Sequence, residues 1–372
     1  MLKQAAAVLA ALMVTASQTA PLDVPEVSAK AAVLIEAQTG RVLYQSNAYE
    51  HLPMASTTKI MSALLALEHP AQVKEFEVDS AAIRVEGSSM GLREGDIVTM
   101  HALACGMLLP SGNDAANAAA VAVCGSTAGF VLRMNERAAQ LGLRDTHFAN
   151  PSGLDAEGHY STACDMARLA ACALENEAFA AICSQSSIRT RFGNPPYERW
   201  MTNHNQLVDT YEGCIGVKTG FTNAARRCLV SAAERDGVRL ICVTLNDPDD
   251  WRDHAALYDY GFENYRRVQL DTDLADAVVP VAGGDNIALR VATDQEQASA
   301  VISENELKVL ERRIVAPPIL FAPVQKGAQV GSVQYRANGV TITTLPLVAV
   351  EDITYKESPV FFGRIFGWLG AE

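Results

Sequence analysis

Residues 56–70 read Ser-Thr-Thr-Lys-Ile-Met-Ser-Ala-Leu-Leu-Ala-Leu-Glu-His-Pro. From Thr57 to about His69 the apolar residues recur at helical spacing and Pro70 closes the run, so the stretch reads as a helix with Ser56 at its entrance and Lys59 one turn in. Working outward, an apolar run at 102–109 is stopped by Pro110, which leaves Ser111-Gly112-Asn113 in the connection to an alanine-rich helix from Asp114 to about Val123. Residues 127–142 and 161–175 also read as helical. A third short string, Lys218-Thr219-Gly220, falls where the pattern has changed to strand.

Strands are expected at 31–45, as a hairpin turning at Gln38-Thr39-Gly40, and at 215–218, 228–233 and 238–245. Asp236-Gly237 is the strongest short hairpin signal, and a two-residue turn there sets Cys242 opposite Ser231 rather than Cys228. A helix is expected from about Trp251 to Tyr260, after which valine-rich strands and acidic connections run from about 268 to 355. The fold class is therefore α/β (α+β): an antiparallel sheet flanked by helices over 28–265, then a smaller β-rich domain over 268–355. A chain of 372 residues favours two such units.

A net charge of −13 gives no general attraction to nucleic acid. Residues 1–20, with Lys3, an apolar run from Ala5 to Val14 and small residues from Ala16 to Ala20, have the outline of a secretory signal, with cleavage after Ala16 favoured over Ala20 because Pro21 follows the latter. The segment 358–372 gathers Phe361, Phe362, Ile365, Phe366, Trp368 and Leu369 on one helical face, too short to span a bilayer and suited to lying on one. The eight cysteines include no Cys-x-x-Cys and read as free, buried thiols, and the seven histidines lack metal-ligand spacing.

Serine is a poor nucleophile until a base lies within reach of its oxygen. Positions i and i+3 share a helix face, which brings the Lys59 amine beside the Ser56 hydroxyl. That amine acts as a base only once neutral, and desolvation together with a neighbouring cation such as Lys218 favours the neutral form. Ser-x-Asn recurs at Ser303-Glu304-Asn305, after Lys218 and in the other domain, where it reads as a capping or turn sequence.

With the three strings in this order, the chain resembles the serine D-alanyl-D-alanine carboxypeptidases, the low-molecular-mass penicillin-binding proteins. Gly87-Ser88-Ser89-Met90-Gly91-Leu92, Asn150-Pro151-Ser152-Gly153-Leu154, Ser161-Thr162-Ala163-Cys164-Asp165 and Tyr260-Gly261-Phe262 extend the likeness. The resemblance implies a β-lactamase/transpeptidase-like domain and removal of the terminal D-alanine from peptidoglycan stem peptides, without metal or organic cofactor and with β-lactams as covalent inhibitors. It implies Ser56 as nucleophile, Lys59 as its base, Ser111 as proton relay to the leaving amine, and Lys218 as electrostatic tuner of both hydroxyls. Asn113 is expected to hold a substrate amide, Thr219 the terminal carboxylate, and the amides of Ser56 and Phe221 the oxyanion, while Gly220 lets the substrate strand approach.

One departure stands out: after the third string the chain reads Thr222-Asn223-Ala224-Ala225-Arg226-Arg227 where the family usually has a glycine. An arginine there can contact a substrate carboxylate or serve as a solvated turn cation, the simpler reading. His204 is either substrate-facing or structural. A D,D-endopeptidase and a β-lactamase share the acylation chemistry, the latter needing a water-activating carboxylate for which Asp155 and Glu157 are the candidates in the 150–160 loop. A non-catalytic wall-binding protein is the rival of a different class.

Overall fold

The computed structural model describes residues 24–275, 277–295 and 297–356. Its larger sheet is five-stranded and antiparallel, in the order Val42–Ser46, Ala31–Glu36, Val238–Leu245, Arg226–Arg235, Cys214–Thr222. Every residue of Ala31–Glu36 and seven of the eight in Val238–Leu245 are buried, which is why these strands read as continuous apolar runs rather than alternating ones. Helices Ala163–Leu174 and Asp250–Asn264 both pack against this central pair of strands. Asp236 and Gly237 both take positive φ (50° and 73°), as a tight hairpin turn requires, and Ser231 pairs with Cys242 as the turn length dictates. The eight cysteines are unpaired thiols.

Lys59–Glu68 is more deeply set than helical periodicity implies: all positions from Lys59 to Leu67 are buried, with helices Met100–Leu108, Asn113–Cys124 and Ala163–Leu174 around it. An all-round apolar helix of this kind is a core element. The lysine at its start is therefore carried into the interior by the packing of its neighbours.

The hairpin Ser187–Gly193 with Pro196–Thr202 has no counterpart in the sequence reading. Most of its side chains are exposed, so it lacks the apolar face that period-two patterning detects. Arg199 holds it down, stacked 4.0 Å from the Phe192 ring and 4.2 Å from that of Tyr197, and donating to the Gly91 carbonyl at 2.5 Å.

Tyr265–Leu270 follows the Asp250–Asn264 helix directly and pairs with Ala298–Ser303. Beyond it lies a six-stranded sheet with its own core, centred on the fully buried Leu289, Ile302, Val333 and Leu347. Ser303-Glu304-Asn305 is a helix start, with Ser303 and Glu306 closing a capping box. Residues 1–20 and 358–372, where the sequence carries its leader-like and aromatic segments, lie outside the described residues. Among the described residues no single helix is long and apolar enough to cross a membrane.

Candidate active site

Ser56 occupies a short 3₁₀ turn, Ala55–Thr58, that runs straight into Lys59–Glu68. Ala55 adopts φ 49°, a left-handed conformation unfavourable for a residue with a Cβ, and the turn is held by hydroxyls donating back to the chain: Thr57 to the Met54 carbonyl at 2.6 Å, Thr58 to that of Ala55 at 2.8 Å. His159 completes the brace. Its Nδ1 accepts from the Ala149 amide at 2.9 Å, so Nε2 carries the proton and donates to Thr58 Oγ1 at 2.8 Å. Burial pushes this imidazole down to about 4, which keeps it neutral.

Lys59 is fully buried and its Nζ has three neighbours: Ser56 Oγ at 2.8 Å, Asn113 Oδ1 at 2.7 Å and the Ser152 carbonyl at 2.6 Å. Burial, reinforced by the charge of Lys218 and opposed by Asp114, holds its amine well below the ordinary lysine range. Lys218, also buried, is pushed down to about 7 by desolvation, and its Nζ donates to the Thr219 carbonyl at 2.8 Å.

Ser111 stands between two helices at φ 63°, and its hydroxyl has no hydrogen-bond partner among the described residues. Asn113 opens the next helix with both ends of its amide engaged, Oδ1 by Lys59 and Nδ2 by the Glu86 carbonyl at 2.7 Å. In this state it orients the lysine rather than facing open space. Gly220 has an equally internal neighbourhood: a Cβ there would stand 3.1 Å from each of Ala55 Cβ, the Met54 carbonyl and the Ser56 amide. The strand can approach the serine turn this closely because position 220 has no side chain.

The sequence reading assigned no part to Asp114, which is 2% exposed. Its carboxylate accepts from the Ser89 hydroxyl at 2.5 Å and from the amides of Met90, Gly91 and Leu92 at 2.9, 3.0 and 3.0 Å, clamping the 87–92 segment against the second motif. The legible signal was its place next to Asn113, together with a Ser-Ser-Met-Gly stretch rich in free amides.

A cavity of about 370 Å³ opens over these groups, lined by Ser56, Ser88, Ser111, His204, Thr219 and Phe221 among others. Hollows of about 490 and 700 Å³ elsewhere contain none of the motif residues. His204 thus faces the cavity, exposed at its rim, its imidazole lowered by desolvation and by Lys218. Of the two turn arginines, Arg226 is exposed at φ 60°, whereas Arg227 lines the cavity beside Asp250 and Trp251.

Residues 15–249 match the family model for D-alanyl-D-alanine carboxypeptidase, and residues 265–355 that for the penicillin-binding protein 5 C-terminal domain. The chain belongs to the D-alanyl-D-alanine carboxypeptidase family. It is 33% identical over 348 residues to D-alanyl-D-alanine carboxypeptidase DacF of Bacillus subtilis, covering 91% of this chain and 89% of that protein. To DacC of Escherichia coli it is 32% identical over 366 residues, covering 94% and 89%. The crystal structure of penicillin-binding protein 5 from Haemophilus influenzae superposes with a TM-score of 0.75 at 28% identity, covering 90% of this chain and all of that one. As in that family, a transpeptidase-like domain precedes a β-rich one, and all three motifs fall within the matched span of this carboxypeptidase relative.

Proposed function

We propose that this protein is a serine D-alanyl-D-alanine carboxypeptidase that removes the last D-alanine from peptidoglycan stem pentapeptides through an ester on Ser56, the same oxygen that β-lactams acylate. The observation that carries this reading is the coordination of Lys59. A neutral amine has two N–H donors and one lone pair. Asn113 Oδ1 and the Ser152 carbonyl take the two donors, at 2.7 and 2.6 Å, so the lone pair is left for the Ser56 hydroxyl 2.8 Å away.

In the proposed sequence, Ser56 Oγ attacks the carbonyl between the two D-alanines as its proton passes to Lys59 Nζ. The amides of Ser56 and Phe221 receive the developing oxyanion. Cys214–Thr222 is the outer strand of its sheet, so one side of its backbone is open to pair with an extended substrate peptide. The C–N bond then breaks, with the proton delivered through Ser111 to the departing D-alanine nitrogen. Water repeats the steps against the ester and returns Ser56 to its starting form.

The leader-like residues 1–20 and the aromatic-rich sequence of 358–372 support export and attachment at a membrane surface, with 28–265 as the catalytic unit and 268–355 as the β-rich one. A β-lactamase reading lacks its water-activating carboxylate: Asp155 accepts from Thr222 Oγ1 at 2.6 Å, and Glu157 is exposed on the loop, neither lining the cavity. The test is release of D-alanine from a stem pentapeptide. Ser56→Ala is expected to lose about a thousandfold or more in kcat, and equal release by variant and parent would defeat the reading.

A further inference from the structure

The hairpin Ser187–Gly193 with Pro196–Thr202 is fixed on one face and unpartnered on the other. Inward, Phe192 and Met201 are buried, and Arg199, stacked on Phe192 and Tyr197, also pairs with the buried Asp96 at 3.3 Å. Outward, the register sets Ser187 opposite Thr202, Arg189 opposite Trp200 and Arg191 opposite Glu198. Trp200 therefore lies directly across from one arginine and diagonal to another. Its side chain is 69% exposed, and the indole stacks on no other ring and makes no hydrogen bond among the described residues. Arg191 is exposed and has no ion-pair partner among the described residues, while Arg189 meets Glu198 at 3.3 Å with both side chains in solvent. The hairpin carries three arginines against one glutamate, an island of positive charge on a chain of net charge −13.

An indole left in water on a ribbon otherwise made of Ser, Thr, Arg and Glu suits a ligand with an apolar face and a polar rim. A pyranose ring is such a ligand: its C–H bonds cover the ring, and its hydroxyl and acetamido groups meet the arginines and hydroxyls around it. One exposed ring is too small for a stable protein partner, which needs about 800 Å² on each side. The position of the hairpin says where the sugar comes from. Thr202 leads through Asn203 to His204, which lines the cavity over Ser56, and Arg199 donates to the Gly91 carbonyl in the segment that carries Ser88, another lining residue. Trp200 stands four positions before His204, a reach of at most about 14 Å. In a stem pentapeptide four residues likewise stand between the sugar and the scissile bond, a span of the same size. Stem peptides also carry free carboxylates, which complement Arg189 and Arg191.

Resting on the carboxypeptidase reading above, we propose that the outward face of this hairpin, centred on Trp200 with Arg189 and Arg191, is a saccharide-binding platform that holds the glycan end of the substrate while its stem peptide occupies the cavity. The enzyme thereby favours stem peptides still attached to their sugars over free peptides. The platform is rigid before the ligand arrives, because Arg199 and its partners fix the opposite face.

The experiment compares kcat/KM for D-alanine release from a disaccharide-linked stem pentapeptide with that from the same pentapeptide, N-acetylated and free of sugar. The parent favours the glycosylated substrate. Trp200→Ala is expected to lower kcat/KM for that substrate about tenfold through KM, the worth of covering some 50–60 Å² of ring surface, and to leave the free peptide unchanged. Trp200→Phe keeps a stacking face and recovers part of the preference, and Arg189→Gln/Arg191→Gln lowers it in the same sense. All three side chains are exposed, so thermal unfolding of the variants should match that of the parent. Equal kcat/KM on the two substrates in the parent, or equal losses on both in Trp200→Ala, overturns the proposal. So does cosedimentation with anionic phospholipid vesicles that falls in Trp200→Ala while the substrate preference stays, which would make the face a membrane contact. None of these outcomes touches the serine hydrolase reading, which is decided on the free pentapeptide by Ser56→Ala.

Discussion

Gly220 and Ser56 are in backbone contact: a Cβ added at 220 would lie 3.1 Å from the Ser56 amide nitrogen, closer than side chains ordinarily approach. The third motif therefore sets the position of Ser56, the proposed nucleophile, as well as lining its cavity. Gly220→Ala is expected to fold, shift the serine turn by a few tenths of an ångström and reduce kcat/KM by about tenfold or more. Steady-state kinetics beside a thermal melt test this, and unchanged kinetics would show that the turn can yield without cost.

In the proposed reaction the neutral form of Lys59 is the base, and burial, aided by Lys218, holds its pKa well below the ordinary 10.5. Activity should therefore rise with pH through a limb lying far below that value. Removing the Lys218 charge in Lys218→Met should move the limb to higher pH, since a neighbouring cation no longer disfavours protonation of Lys59. Asp114→Asn should move it to lower pH, because Asp114 acts in the opposite sense. The pH dependence of kcat/KM for the three proteins checks both directions, and shifts of the same sign in the two variants would contradict the assignment.

Asp114 accepts from four backbone amides, those of Met90, Gly91, Leu92 and Ala115, and from the Ser89 hydroxyl. Asp114→Ala leaves the Met90 and Leu92 amides without their acceptor, while that of Gly91 keeps Ser89 Oγ, and is expected to cost about 3 kcal/mol of stability by chemical denaturation. Because Ser88, within the clamped segment, lines the cavity, KM should rise as well. A variant as stable as the parent would mean that the segment finds other partners.

Four buried bases, His254, His159, Lys218 and Lys59, make stability depend on pH in one direction. His254, held between Ser231 and Thr244, is pushed down to about 3 by burial, and His159 to about 4. Each binds a proton more readily when unfolded, so stability rises with pH up to the ordinary histidine value of 6.5, from about 3 for His254 and about 4 for His159, and is lost on acidification through that window. Lys218, at about 7 when folded, gives a second rise between about 7 and its ordinary value of 10.5, to which Lys59, also held well below that value, adds in the same sense. Unfolding free energy measured from pH 4 to 10 should show both rises, with the upper one flattened in Lys218→Met. An upper slope unchanged in that variant would remove Lys218 as its source.

Much of this arrangement is legible in the residues because it is local. Ser56 and Lys59 share a turn, Asp236-Gly237 fixes its own hairpin register, and Pro110 places Ser111 between two helices. What the sequence conceals is long-range. That Asn113 spends its amide on Lys59 and Glu86 depends on helix packing across 54 positions. The brace from Ala149 through His159 and Thr58 to Ala55 joins residues about a hundred apart in the chain. Arg227 differs from Arg226 only because strand alternation turns it toward Asp250, 23 residues away, a relation that a turn composition cannot reveal. The 187–202 hairpin escapes because its side chains are largely exposed and no apolar face announces it.

The central claim is that Lys59 activates Ser56 for acyl transfer, and the most direct test is mass spectrometry of the folded protein after brief exposure to a penicillin. The account predicts one covalent adduct, carried by the peptide that contains Ser56 and absent from Lys59→Met over the same interval. A folded parent protein with Ser56 unmodified, or an adduct formed equally fast without Lys59, would contradict it.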